Sequence, residues 1–228
     1  KRAAALAAVG AGVLALGGCS SATVDEWKRG AMPDPASVQG EKILELWQGA
    51  WIAALAVGIL VWGLILYAVV RFRRRSADEI PVQTRYNLPL EILYTIAPVI
   101  MVIVFFAKTV DTQNFVLDAD RPVDNTIEVV GQQWSWTFNY GLGEMDATAN
   151  EDATDGQFPY SSYVHDSGTG SHLPDLYLPV DVTTRFNLHS PDVIHDLGVP
   201  AFLMKMDVIP GRVNFNATTP TEIGEYAG

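Results

Sequence analysis

The chain has 228 residues, 15 of them basic and 26 acidic, and a formal charge of −11. Hydrophobic residues make up 49% of it, which excludes an intrinsically disordered protein. The acidic balance excludes a nucleic-acid-binding protein, because such proteins carry basic surfaces. Cys19 is the single cysteine, so the chain has neither an internal disulfide nor a cysteine pair for a metal site.

The first segment has the pattern of a bacterial lipoprotein signal peptide. Lys1 and Arg2 precede an apolar run that ends in Leu-Gly-Gly before Cys19. A basic start, a short apolar core and small residues before a cleavage site are typical of signal peptides, and small residues directly before a cysteine resemble the lipobox. We therefore predict that residues 1–18 are removed and that Cys19 is lipidated. The alternative is a third membrane helix, for which the stretch is short.

Two later stretches predict a transmembrane hairpin over residues 46–110. Residues 46–70 contain no charge, and residues 88–107 contain one, Glu91. At about 1.5 Å per residue, each can cross a hydrocarbon core of about 30 Å as a helix. A buried helix of a water-soluble protein is the alternative for each stretch, but two such stretches close together favour a membrane hairpin.

The loop between these spans, residues 71–87, sets the orientation. It is rich in arginine: Arg71, Arg73, Arg74, Arg75 and Arg85. The positive-inside rule places it in the cytoplasm. The segment 19–45 and everything after the second span then lie outside the bacterial cell membrane, which agrees with lipidation of Cys19 on the outer face.

Residues 111–228 predict an outer β-domain. The segment 126–140 is rich in β-branched and aromatic residues, and residues 182–188 alternate between apolar and polar. Pro210-Gly211 separates two further strand patterns. We expect a small antiparallel sandwich or barrel. An insert at 141–174, rich in Gly, Asp, Ser and Thr, is read as a long acidic loop.

Three segments of this domain, following a two-helix hairpin, resemble one family. They are GQQWSWTF at 131–138, SPDVIHDLGVP at 190–200 and KMDVIPGR at 205–212. In this order they are similar to subunit II of the haem–copper respiratory oxidases. The resemblance implies a cupredoxin-like Greek-key sandwich on the outer face, carrying the dinuclear copper A centre.

The resemblance also implies a ligand set. His195 matches the first copper ligand, whereas a lone loop histidine is the alternative. The family's other ligands come from a downstream C-x-E-x-C-x-x-x-H-x-x-M run, which is absent before Gly228. We therefore expect the sequence to be truncated ahead of that run. Soft thiolates together with imidazoles suit copper, so His195 alone cannot hold the centre.

Four more residues match family positions. Trp134 matches the aromatic residue at which electrons arrive, with a core tryptophan as an equal alternative. Glu91 matches a carboxylate at the cytoplasmic mouth of a proton-uptake path, or is a helix cap. Lys205 and Asp207 match the edge that faces subunit I, near the haem propionates and a magnesium or manganese site. A plain interfacial ion pair is the stronger alternative for these two.

Three functions remain open at this stage. The first is the electron-input subunit of a proton-pumping cytochrome c oxidase, with haem and a second copper site in partner subunit I. The second is a quinol oxidase subunit without copper A, and the third is a non-enzymatic surface lipoprotein. Expected partners are subunit I and other oxidase subunits, membrane lipid, and cytochrome c or a neighbouring complex that contains it; no nucleic acid is expected.

The acidic insert suggests how the donor docks. Its carboxylates, counted to its far edge, are Glu144, Asp146, Glu151, Asp152, Asp155, Asp166 and Asp175. Such a field would attract a basic cytochrome and raise its encounter rate. The alternatives are a clamp for a permanently bound cytochrome subunit and a solvated loop without a partner.

Overall fold

The computed structural model describes residues 21–76, 80, 83–140, 164–168 and 170–228. In chain order these residues form three α-helices, one short 3-10 helix (Pro200–Phe202) and seven strands. The helices are α1 (Ser21–Lys28), α2 (Val38–Arg71) and α3 (Leu88–Val116). The strands are β1 (Asn125–Gln132), β2 (Ser135–Tyr140), β3 (Val164–Ser167), β4 (Thr184–His189), β5 (His195–Val199), β6 (Met204–Val208) and β7 (Asn214–Thr218).

The long helices α2 and α3 form the predicted hairpin, and both are apolar and long enough to cross a membrane. Ser37 caps α2 by accepting a hydrogen bond from the backbone of Gly40, and Asn87 caps α3. Both helices run past the predicted spans on the outer side, since α2 begins at residue 38 and α3 ends at residue 116. Lys42 of α2 lies 3.9 Å from Asp111 of α3, so polar side chains join these outer turns.

The outer domain is a two-layer β-sandwich, as predicted. One sheet has the order β3-β2-β1-β4-β7 and the other pairs β5 with β6. The two layers bury a common core: Ile127, Val129, Phe138, Phe186, Leu188 and Val208. Strand β4 alternates buried and partly buried residues along its length, which confirms the period-two pattern of residues 182–188.

One pairing differs from the all-antiparallel expectation. Strands β1 and β4 run parallel, with Ile127 opposite Phe186. The long connection between them allows this, because a parallel pair needs a crossover rather than a tight turn. The pairing also buries Glu128, whose carboxylate accepts a 2.6 Å hydrogen bond from Asn187 and lies 2.5 Å from Nε2 of His189.

The insert at 141–174 is only partly described. Its residues 164–167 form strand β3, which pairs antiparallel with β2 at the edge of the larger sheet. The prediction of one continuous loop is therefore wrong for this part. A short hydrophobic-polar strand with a free sheet edge to pair with gains hydrogen bonds that a loop does not. Residues 141–163 and 169 lie outside the described residues.

The first turn of α2 is built into the outer domain. Ala36 donates its backbone N–H to Ala201 at 2.8 Å and accepts one from Thr221 at 3.0 Å. Gln39 is fully buried, and its side-chain oxygen accepts the backbone N–H of Thr219 at 3.0 Å. Because these contacts join the helix directly to the sandwich, the membrane anchor and the outer domain meet without a flexible linker.

Candidate functional site

A tight loop before β5 orients His195. Within it, the hydroxyl of Ser190 donates to the carbonyl of Val193, and the backbone N–H of Val193 donates to Oδ1 of Asp192 at 2.6 Å. The loop thereby brings Oδ1 of Asp192 to 2.8 Å from Nε2 of His195. Since an ionised carboxylate only accepts hydrogen bonds, Nε2 is the donor of this bond, and Nδ1 is the ring nitrogen left for another partner.

Asp192 also holds the turn between β1 and β2. Its Oδ2 accepts the backbone N–H of Gln133 at 2.7 Å. This hydrogen bond, followed by those from His195 and the backbone of Val193, sets the pKa of Asp192 far below its ordinary value. The carboxylate therefore stays ionised at physiological pH and joins two loops that lie far apart in the sequence.

Trp134 lies in that turn, and its residue surface is 92% exposed. The sequence predicts a strand position for Trp134, with a core tryptophan as the alternative. Neither prediction is correct, because the chain reverses between Gln132 and Ser135, and the turn projects the indole into solvent. An exposed indole on a pinned turn is available for contact with another protein.

Trp136, two residues on, packs against His195 instead. The two rings meet edge to face, with centroids 5.9 Å apart. Gly131, opposite Trp136 in the β1–β2 pair, leaves the space for this contact. A Cβ at Gly131 would lie 2.8 Å from the Trp136 ring and 3.3 Å from Cβ of His195. The missing side chain is therefore a condition for the packing of both rings.

These residues surround an open pocket of ≈ 450 Å³ on the outer domain. Residues 132–136, 172–174 and 193–195 line it. Leu173 and Ile194 are exposed at its rim beside Trp134. His172 at the same rim is bonded to Asp166 of β3, with 2.9 Å between Nε2 and Oδ1. That hydrogen bond is the main reason why the pKa of Asp166 lies below its usual value.

The donor atoms at this site fit part of a copper centre. A histidine whose second ring nitrogen is bonded to a carboxylate is the common form of a metal-ligating histidine. Within the described ranges, however, no group of three or more His, Cys, Asp or Glu side chains could hold a metal ion. The described residues thus supply two imidazoles that carboxylates orient, those of His195 and His172, and do not complete a metal site.

Glu91 lies in the first turn of α3 and takes part in its cap. Its Oε1 accepts the backbone N–H of Asn87 at 3.0 Å, while Oδ1 of Asn87 accepts that of Leu90 at 3.3 Å. This reciprocal arrangement is the helix-cap role that the sequence left open, since it satisfies donors at the start of a helix. A role in proton uptake stays a prediction.

Lys205 and Asp207 lie on the same exposed face of β6. Nζ of Lys205 is 3.5 Å from Oδ2 of Asp196, which stands opposite Asp207 in the β5–β6 pair. Lys205 thus has an ion-pair partner within this chain, whereas an ion pair of Lys205 or Asp207 with subunit I stays a prediction. Cys19 lies outside the described residues, so its lipidation stays a prediction.

The comparisons with known proteins agree with this arrangement. The profile of the family described as "Cytochrome C oxidase subunit II, periplasmic domain" matches residues 125–228, and that of its transmembrane domain matches residues 25–109. The chain belongs to the cytochrome c oxidase subunit II family. The predicted family, the two-helix anchor and the outer cupredoxin-like domain are thereby confirmed.

Two relatives from this family are similar over most of the chain. The probable cytochrome c oxidase subunit 2 of Streptomyces avermitilis is 42% identical, over 94% of this chain and 74% of that one. The corresponding protein of Streptomyces coelicolor is 40% identical with the same coverage. The crystal structure of the periplasmic domain of subunit II of Bradyrhizobium japonicum cytochrome oxidase is 26% identical, with a TM-score of 0.33, over 46% of this chain and 70% of that one.

Three residues of the site were not selected from the sequence: Gly131, Trp136 and Asp192. A glycine inside a strand pattern is a known sign of close approach by another group, so Gly131 carried a usable signal. Asp192 was part of a quoted motif, but its contact with Gln133 joins two loops that only the fold brings together. Trp136 could not be told from a core tryptophan by strand alternation alone.

Proposed function

We propose that this chain is the electron-input subunit of a cytochrome c oxidase and works in complex with subunit I. It accepts electrons on the outer face of the membrane, from cytochrome c or from a cytochrome domain of a neighbouring complex. Oxygen reduction at haem and the second copper, coupled to proton pumping, takes place in subunit I. The family membership and the membrane-anchored outer domain support this role.

One observation carries the proposal: Asp192 bonds both to the turn that presents Trp134 and to His195. Trp134 projects into solvent, where a donor protein can touch it, whereas the side chain of His195 is largely covered. A short path of hydrogen bonds and covalent bonds therefore joins an exposed aromatic ring to an oriented imidazole. Such a path suits electron transfer from a docked protein to an internal centre.

His195 would contribute one ligand to copper A through Nδ1. When bound, that centre supplies one-electron oxidation and reduction. The remaining ligands would come from the cysteine-containing segment that the family carries after this region.

Three further residues keep the roles that the resemblance implies. Glu91, at the cytoplasmic end of α3, would line the mouth of a proton-uptake path in the assembled oxidase. Lys205 and Asp207 would face subunit I near the haem propionates and a magnesium or manganese site. Their exposure on one face of β6 supports an interface role, because a partner subunit can reach both side chains there.

The test uses the complete oxidase with Trp134→Ala. We expect oxygen consumption with cytochrome c to fall more than about tenfold, which is the effect of losing an interface residue worth ~1.4 kcal/mol or more. Consumption with a small artificial reductant should stay near the wild-type rate. Ile223→Ala, which removes another highly exposed apolar side chain of the outer domain that does not line the pocket, is the matched control. An unchanged rate with cytochrome c would refute Trp134 as the input residue.

A further inference from the structure

The short helix α1 presents a narrow apolar stripe to its surroundings. Val24 and Trp27 are exposed, and the side chain of Trp27 is the larger part of the stripe. At 3.6 residues per turn these two lie on one side of the helix, while Asp25 and Glu26 lie away from it. The stripe is too small for a specific protein interface, which buries about 800 Å² on each partner.

The end of α1 is fixed at the level where the membrane span begins. Nε2 of Gln48 donates to the carbonyl of Lys28 at 3.2 Å, and Nε1 of Trp47 donates to the carbonyl of Gly30 at 3.1 Å. Trp47 stands at the start of the uncharged run of α2, where interfacial tryptophans are usual. These bonds therefore hold the end of α1 at the outer membrane–water boundary.

Gly30 makes this attachment close. Its φ of +61° lies in the left-handed region, and a Cβ there would lie 2.8 Å from the rings of Trp47 and Trp51. The two rings are partly exposed and pack edge to face, with centroids 5.9 Å apart. Gly30, which follows α1, thus lies directly against the rings of Trp47 and Trp51 at the boundary. The C-terminal end of α1 is therefore held close to the boundary.

We propose that α1 lies along the outer surface of the lipid bilayer, with Trp27 inserted at the boundary between headgroups and acyl chains. With eight residues, α1 is only about 12 Å long, so an end that is held by Trp47 and Gln48 keeps Trp27 within about one turn of the boundary. Trp27 supplies an amphipathic ring suited to that depth, and the carboxylates of Asp25 and Glu26 remain in water.

The test measures depth by spin labelling in the complete oxidase, reconstituted in nanodiscs of palmitoyl-oleoyl phosphatidylglycerol. A nitroxide is attached in W27C and, as the matched control, in D25C, whose native carboxylate bonds to Lys28 in solvent. Relaxation by oxygen, which concentrates in lipid, is compared with relaxation by a water-soluble nickel complex. The same complex without the new cysteine gives the labelling background.

We expect the label at position 27 to be several-fold more accessible to oxygen than to nickel, and the label at position 25 to show the reverse. Equal exposure of both positions to nickel would place α1 in water and overturn the proposal. Protection of position 27 from both reagents would place it against another subunit, which overturns the proposal as well. The mass of the N-terminal peptide of the same sample shows separately whether Cys19 is lipidated, and the oxidase rate reports the proposed function independently.

Discussion

Oδ1 of Asp192 lies 2.8 Å from Nε2 of His195, and Oδ2 of the same carboxylate accepts the backbone N–H of Gln133 at 2.7 Å. One side chain thus orients the imidazole and fixes the turn that carries Trp134. The hydrogen bonds keep the carboxylate ionised, so it accepts its hydrogen bond from Nε2 of the imidazole. The orientation of the proposed ligand and the position of the exposed indole are therefore set together.

Replacing Asp192 should disturb both the orientation of His195 and the turn that carries Trp134. In the complete oxidase we expect Asp192→Ala to lower copper affinity or activity by about 10–100-fold, the usual effect of removing the partner of a ligating histidine. Copper content and the rate with cytochrome c are the measurements. Asp196→Ala, which removes a neighbouring carboxylate bonded to Lys205, should leave copper content unchanged. Equal effects of the two variants would argue against a positioning role for Asp192.

His195 should be required for the copper signature. We expect His195→Asn to abolish or distort the near-infrared band and the paramagnetic signal of copper A, because the variant lacks the imidazole ligand. His172→Asn is the matched control, since His172 lines the same pocket and is bonded to Asp166. Both spectra should survive in that control. An intact band in His195→Asn would remove His195 from the ligand set.

Gly131 should not tolerate a side chain. In Gly131→Ala the new methyl would meet the Trp136 ring at 2.8 Å and displace it from His195. Overpacking of this kind costs about 1–3 kcal/mol, so the unfolding temperature of the outer domain should fall. The copper spectrum should shift as well, because the ring that packs on His195 moves. A variant with unchanged unfolding and an unchanged spectrum would show that the two rings are not held by this glycine.

The acidic insert can be tested without removing a strand. Because residues 164–167 form β3, the deletion should span residues 144–162 and leave the sheet intact. If the insert docks the donor, oxygen consumption with the native cytochrome should fall. The dependence of that rate on salt should also weaken, because the carboxylates that attract the cytochrome have been removed. The rate with a small artificial reductant should persist.

The other readings of the insert give different outcomes in that experiment. A clamp for a bound cytochrome subunit predicts loss of that subunit from the purified complex, with little effect of salt. A solvated loop predicts wild-type rates and wild-type composition. The native rate, the artificial rate and the subunit composition therefore separate the three possibilities.

The sequence by itself determined the anchor and the class of the outer domain. A run of uncharged residues long enough to cross a bilayer, such as 46–70, has few other stable forms, and arginines in the following loop set its orientation. Alternation along β4 predicted which residues enter the core, because successive strand side chains point to opposite faces. These properties depend on neighbours in the chain, so local pattern is enough to predict them.

Only the tertiary structure determines which residues come together at the site. Asp192 and Gln133 are brought together by the sandwich, and no local pattern reports such a pair. The same holds for the exposure of Trp134, which follows from a chain reversal between two strand-like segments. It also holds for Trp136, which is only two residues away in the sequence but is partly buried against His195. A hydrogen bond between distant loops depends on how the two sheets pack and pair, and that geometry arises from all the core contacts acting together.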